Sequence, residues 1–345
     1  MEEELKNFVK VWVLAITSLC YSYYIAAKIP KGFLRLLSLL PVISLFLFLP
    51  MNLFPCYYVC GLTSMFLSWY ANFKLILFSF DHGPLSPLPP HLLHFIFIAC
   101  LPIKLKKYPP QEKPQTSSLG TIILAIKVAI TIMLFEAYNY GKHLNANIVL
   151  ALFPIHFIFE TECIYALFQI PPKFFSGFEL EPQFKEPLLA NSFQDFWGQR
   201  WNLMSSDVLR PIIYNPLRSI SARIIGDRWA SLPAVLVTFF VSGLMHELIY
   251  FHLTHHPPTW EATCYFVMHG ICVDVEIVLK KKNVILIGRK WQFLNIISRL
   301  LLLGFLLVTS RWILFAPWLR NGIYEKAYME YSMAMHFAKG ALHLY

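Results

Sequence analysis

Long apolar runs, most of them closed by proline or by a short polar or basic connector, recur along this chain. They fall near 8–27, 33–50, 57–80, 119–140, 147–170, 232–254, 261–279 and 295–318. A helix needs roughly 20 mainly apolar residues to cross the hydrocarbon core of a bilayer, and each run is close to that length. Pro30, Pro50, Pro55 and Pro171-Pro172 punctuate the ends, where a residue without an amide hydrogen stops a helix. A further run near 92–103 is about half the spanning length, which predicts a re-entrant or interfacial piece. The pattern therefore predicts an all-α, polytopic membrane bundle of about eight spans. No internal repeat or low-complexity stretch breaks it, so 1–345 is expected to be a single membrane-embedded domain.

Composition agrees with the runs. Of the 345 residues, 57% are hydrophobic and 14% charged, against about 45–50% and 25% in soluble domains. The net charge of +9 is gathered in connectors: Lys28, Lys31 and Arg35; Lys104, Lys106 and Lys107; Lys280, Lys281 and Lys282 with Arg289 and Lys290. With the 92–103 run not crossing, the basic loops 28–35, 104–118, 171–231 and 280–294 share one face, expected to be cytosolic. The connectors 51–56, 141–146 and 255–260 then face the other side. Such clusters suit anionic headgroups, and no basic stretch carries aromatics laid out to stack bases, which excludes a nucleic-acid module. Cys20, Cys56, Cys60, Cys100, Cys163, Cys264 and Cys272 are an odd number, mostly within apolar runs, and read as small buried thiols. The acidic start Met1-Glu2-Glu3-Glu4 is the reverse of a cleavable signal peptide, so the first run is expected to be kept as a membrane helix.

The longest non-spanning stretch, 171–231, is expected to be cytosolic and interfacial. It contains Asn191-Ser192-Phe193-Gln194-Asp195-Phe196-Trp197-Gly198-Gln199-Arg200-Trp201-Asn202-Leu203-Met204. At helical spacing Asp195, Gln199, Asn202 and Ser206 line one face, and Phe193, Trp197, Trp201, Met204 and Val208 the other. That is an amphipathic helix suited to the membrane surface or to the side of the bundle; a simple anchor is the competing reading. Leu209-Arg210-Pro211 and Tyr214 follow, and the proline is expected to end the helix.

The next span holds Val241-Ser242-Gly243-Leu244-Met245-His246-Glu247. Ionisable groups inside a span are costly and mark sites or pathways. Ser242 shares a face with His246 and is placed to bond the imidazole, whereas Glu247 points about 100° away. The competing reading is a structural histidine bonded to a carbonyl. Other constellations are weaker. His246-Glu247 followed by Tyr250 lacks the second histidine of an HExxH zinc site. His252, His255 and His256 adjoin Pro257-Pro258 and are expected to face water. His269 and Asp274, five residues apart, point about 140° away from each other on a helix and do not make a dyad. His143, Glu160 and Glu162 are candidates for pairing or gating. Neither a GxSxG elbow nor a phosphate-cradling glycine loop is present.

Several of these stretches together resemble the plant wax ester synthase group of the membrane-bound O-acyltransferases. They are Asp195-Phe196-Trp197, Arg200-Trp201-Asn202, Leu209-Arg210-Pro211 with Tyr214, and Val241 to Glu247. Ala71 to Phe78, Glu181-Pro182-Gln183-Phe184, Glu186-Pro187, Pro258-Thr259-Trp260-Glu261 and His269-Gly270 belong to the same likeness, which runs over nearly the whole chain. Gln199 stands where relatives often carry a basic residue. The resemblance implies an endoplasmic reticulum enzyme with a buried reaction chamber, using acyl-CoA as co-substrate and passing the acyl chain to a lipid alcohol. It implies catalytic roles for Asn202 and His246. Read as ester chemistry, His246 would act as general base and Asn202 would align the thioester or the imidazole. Arg200, Trp201, Arg210 and Tyr214 are candidates for the CoA phosphates and adenine, with lipid headgroup contact as the alternative for both arginines. The acceptor reads as a long-chain fatty alcohol, with a sterol as the alternative. A transporter is a distant alternative, because paired inverted repeats are absent.

Overall fold

A computed structural model describes residues 2–53, 57–106, 118–139, 146–282 and 292–341. Among them the protein is all-α: α1 (Glu2–Tyr24), α2 (Phe33–Phe48), α3 (Tyr57–Ser64), α4 (Asn72–Ser79), α5 (Leu92–Cys100), α6 (Ser118–Asn139), α7 (Ala146–Phe168) and α8 (Ile170–Ser176). Then come α9 (Phe193–Asp195), α10 (Leu203–Leu209), α11 (Asn215–Ile225), α12 (Ser231–Thr254), α13 (Glu261–Lys281), α14 (Gln292–Thr309), α15 (Ala316–Arg320) and α16 (Ile323–Ala341). Among the described residues six helices are long and apolar enough to cross a membrane: Glu3–Lys28, Phe33–Asn52, Gly120–Ala137, Ser231–Thr254, Glu261–Lys281 and Ile296–Leu314. Large apolar side chains stand outward on several of them, Phe33 at 72% and Leu301 at 70% exposure, as a hydrocarbon solvent allows.

The two other expected spans are also helical, but they turn polar groups inward. From Tyr57 to Ser79 the chain is one unbroken helix, α3 and α4 joined by a π-helical segment, Met65–Ala71. Helix α7 runs past Pro154 and buries His156 and Glu160. The 92–103 run forms only α5, nine residues long, about 14 Å at 1.5 Å per residue and too short to span.

The chain divides into two compact units. The first comprises Met1–Leu101, Asp207–Asp274 and Ile313–Tyr345. Several of its buried polar groups, which have no water to fall back on in a membrane, are bonded across its helices. Ser68 Oγ donates to the carbonyl of Phe46 (2.8 Å), and Asn72 Nδ2 donates to that of Ile43 (3.2 Å). Lys74 is fully buried; its Nζ donates to the carbonyls of Ile98 (2.7 Å) and Leu101 (2.8 Å), meeting orphan acceptors at the C-terminal end of α5. Arg35, counted above with a basic connector, is turned inward as well. Its guanidinium donates to the carbonyls of Ile29 and Phe78 and lies 5.0 Å over the Phe78 ring.

The second unit comprises Pro102–Ser206 and Val275–Trp312. Lys127 of α6 is held by Glu162 of α7 (2.6 Å) and by Glu186 (3.1 Å), so Glu162 takes the pairing role that its place in a span suggested. Lys104 and Lys106 pair with Glu181 and Glu179 beside an isolated antiparallel bridge, Leu105 to Leu180. Ala190, Phe196, Leu302 and Leu306 form a small core, and Phe193, Trp197 and Trp201 pack on it. The aromatic stripe of the amphipathic segment thus covers α14. The six described cysteines are free thiols; Cys60 and Cys100 are buried, whereas Cys264 is exposed. Cys56, Lys107, His143, Arg289 and Lys290 lie outside the described residues.

Candidate active site

His246 lies on α12 in the first unit, and its two ring nitrogens differ. Nδ1 sits 2.7 Å from the backbone carbonyl oxygen of Ser242. A carbonyl oxygen only accepts, so Nδ1 carries the proton and donates, and the neutral ring keeps a lone pair on Nε2. Ser242 does bond the imidazole, but through its carbonyl and not its hydroxyl. Among the described residues Nε2 has no hydrogen-bond partner, and the side chain is partly exposed. Two rings hold the imidazole in place: Phe266 of α13 at a centroid distance of 4.2 Å and 33°, and Trp69 of the π segment at 5.1 Å and 75°.

The neighbours of His246 explain the local spelling. A Cβ on Gly243 would stand 2.6 Å from the Cα of Thr263, so only glycine lets α12 and the start of α13 meet there. Gly270 repeats the device from the other helix, against Phe239. Glu247, buried at 3% exposure, accepts the backbone N–H of Thr263 at 3.1 Å. A carboxylate at a helix N-terminus satisfies an orphan donor and favours the dipole. Glu247 therefore fastens the α12–α13 seam that presents Phe266.

The second unit shapes Asn202. The single amphipathic helix expected across 193–208 is broken in two. Helix α9 passes into a π-helical segment, Phe196–Arg200, closed by Trp201 N–H donating to the carbonyl of Phe196 (2.8 Å). Trp201 is extended, Asn202 adopts φ +38°, and α10 starts afresh. Asparagine is among the few non-glycine residues that enter the left-handed region readily. Its Oδ1 accepts from the N–H of Ser205 (3.2 Å), capping α10, and its Nδ2 donates to Tyr165 Oη (3.4 Å). Periodicity could not see this break, because the hydrophobic spacing stays helical through it.

Arg200 and Trp201 serve the same turn. The guanidinium donates to Asp195 (2.8 Å) and to the carbonyls of Lys185 (3.1 Å) and Glu186 (3.3 Å). The Trp201 indole lies stacked 5.8 Å from Phe196 and edge-on to Phe184 at 5.1 Å. Arg210 and Tyr214 belong to the first unit and bound a π-helical segment, Arg210–Tyr214; Arg210 is exposed and Tyr214 half-buried. The proline expected to end the helix does not, since Leu203 to Ile225 is continuous through Pro211. Proline lacks an amide hydrogen and its ring crowds the carbonyl four residues back; widening the turn to π geometry relieves both.

The three histidines at the end of α12 also differ. His255 and His256 are exposed, as expected, but His252 is fully buried. Its Nε2 donates to the Leu47 carbonyl (3.0 Å), and Ser64 Oγ donates to its Nδ1 (2.6 Å). Closeness to Pro257-Pro258 does not put His252 in water, because α12 extends to Thr254 and carries His252 on its inner face. His269 is buried against Tyr265 at 4.2 Å. Sequence reasoning missed Trp69, Phe266 and Tyr165, whose roles exist only through contacts distant along the chain. Trp69 looks like one more aromatic in an apolar run.

Comparison with known proteins gives a consistent picture. The family described as membrane bound O-acyl transferase matches residues 180–268, the stretch holding both Asn202 and His246. The chain is 44% identical over 341 residues to "Probable long-chain-alcohol O-fatty-acyltransferase 3" of Arabidopsis thaliana, covering 98% of this chain and 97% of that one. It is 43% identical to "Probable long-chain-alcohol O-fatty-acyltransferase 1" of the same plant, covering 98% of each. It is 39% identical over 337 residues to that plant's "Acyl-CoA--sterol O-acyltransferase 1", covering 96% of each. With these matches running almost end to end, the chain belongs to the membrane-bound O-acyltransferase family and is an acyl-transferring enzyme.

Proposed function

We propose that this enzyme transfers a fatty acyl chain from acyl-CoA to the hydroxyl of a long-chain alcohol, forming a wax ester in the endoplasmic reticulum membrane. The observation that carries the chemistry is the imidazole of His246, with Nδ1–H committed to the Ser242 carbonyl and Nε2 open. Nε2 removes the hydroxyl proton as the alcohol oxygen attacks the thioester carbonyl; the C–S bond breaks, and the departing thiolate takes that proton back. No covalent acyl-enzyme is needed, since the thioester is already activated. A positioned base of this kind contributes about 10²–10⁴-fold.

Asn202 holds the thioester, or the imidazole, in line through its carboxamide. Arg210 and Tyr214 take the phosphates and adenine of CoA, for which a guanidinium fork is suited. Arg200 and Trp201 fix the Asn202 turn. The long-chain-alcohol names of the relatives favour a fatty alcohol acceptor; the sterol name of one makes a sterol the competing acceptor. The test presents labelled acyl-CoA to proteoliposomes with fatty alcohol, sterol and diacylglycerol in competition. Wax ester as the dominant labelled product is expected. Dominant sterol ester overturns the acceptor, and label in no ester overturns the reaction.

A further inference from the structure

We propose that the indole N–H of Trp69 is a catalytic hydrogen-bond donor to the carbonyl oxygen that reacts at His246. The proposal rests on His246 being the base and goes beyond it by naming the group that receives the developing negative charge. Trp69 lies in the π segment Met65–Ala71 and is 3% exposed. Its Nε1 is buried and has no hydrogen-bond partner among the described residues. Buried tryptophan N–H groups normally find an acceptor, because leaving one unmet costs about 1–3 kcal/mol. An orphan of this kind in a packed interior calls for a reason, and a ligand atom is one. Trp12 shares the orphan N–H, but its ring neighbour is Phe8; Trp69 has beside Tyr70 at 5.6 Å the proposed base itself, at 5.1 Å.

The chemistry fits what the imidazole lacks. With Nδ1–H held by Ser242, the ring offers the substrate an acceptor and no donor, so the thioester oxygen needs a donor from elsewhere. Indole N–H donates and does not accept, so it cannot compete for the alcohol proton. As the alcohol oxygen bonds to the carbonyl carbon, its proton passes to His246 Nε2 and negative charge grows on the carbonyl oxygen, where Trp69 donates. Collapse expels the thiolate, which reclaims the proton and leaves ester, free CoA and neutral imidazole. A second buried orphan stands nearby: Thr263 Oγ1, on the α13 residue packed against Gly243, one helical turn before His246. The π segment supports the placement, since such widened turns recur at functional sites.

Trp69→Phe keeps a ring and removes the donor. Loss of one oxyanion donor typically lowers kcat by about 10²–10³-fold, and an uncharged indole is expected near the lower end, at about 100-fold. KM for acyl-CoA, acyl-CoA binding, melting temperature and the shape of the pH–rate profile are expected to stay as in the parent enzyme. Unchanged kcat, or a rise in KM with kcat kept, overturns the proposal. Should Trp69→Phe fail to fold, benzothienylalanine at position 69 replaces the N–H with sulfur in a ring of the same shape, and the same criteria apply. His246→Ala runs in parallel. Full activity there overturns the reading of the base, whereas its loss beside a fully active Trp69→Phe overturns only the role of Trp69.

Discussion

His246 and His252 lie six residues apart on one helix and are bonded in opposite ways. His252 is fully buried with both nitrogens satisfied, one by Ser64 and the other by the Leu47 carbonyl. His246 is partly exposed, with one nitrogen fixed by its own helix and the other open. A histidine bonded at both nitrogens is a cross-link; one bonded at a single nitrogen is oriented and still able to exchange a proton. The bonding state of each ring nitrogen therefore says more about role than the presence of a histidine in a span.

The contrast can be broken most forcefully through the seam that supports His246. Gly243→Val puts side-chain atoms where a Cβ alone would meet the Thr263 Cα at 2.6 Å, and forced overpacking costs about 1–3 kcal/mol or more. The expected outcome is a large loss of folded protein by size exclusion and of activity, with Gly243→Ala intermediate. Next comes His252→Leu, which removes two buried hydrogen bonds and leaves Ser64 unmet. A destabilisation of about 1–3 kcal/mol is expected in thermal unfolding, while kcat per folded molecule stays within about twofold. A collapse of kcat with stability intact would erase the distinction between the two histidines.

Asn202 sharpens the comparison by a smaller effect. Its oxygen is spent on the α10 cap and its backbone on a left-handed turn. Asn202→Ala loses the cap and strains the turn, at about 1–2 kcal/mol, whereas Asn202→Gly accepts the turn and costs only a few tenths as a cap. If the carboxamide takes part in the chemistry, both variants lose activity and only the alanine also loses stability. An active, stable Asn202→Gly would reduce Asn202 to a cap.

What could be read from the chain followed the physics. The apolar runs, the short 92–103 piece and the isolated His246-Glu247 pair are properties of local sequence; the structure keeps the runs as long helices and the short piece as a nine-residue helix, and gives the pair two separate bonds, His246 to the Ser242 carbonyl and Glu247 to the Thr263 N–H. Local periodicity could not show that the 193–208 helix breaks at Asn202 or that Pro211 is absorbed by a π turn, since both depend on hydrogen-bond register. The inward turn of Arg35, Lys74 and His252, and the meeting of Trp69 with His246, depend on residues far apart in sequence. Contacts of that kind leave no mark on spacing.

In the proposed reaction Nε2 of His246 takes the alcohol proton, and every other assigned role depends on that transfer. Single-turnover ester formation should be measured in purified His246→Ala, in proteoliposomes, beside binding of the same acyl-CoA. Binding close to that of the parent with ester formation slowed by about 10²–10⁴-fold is the predicted result. Ester formation at the parent rate would contradict it.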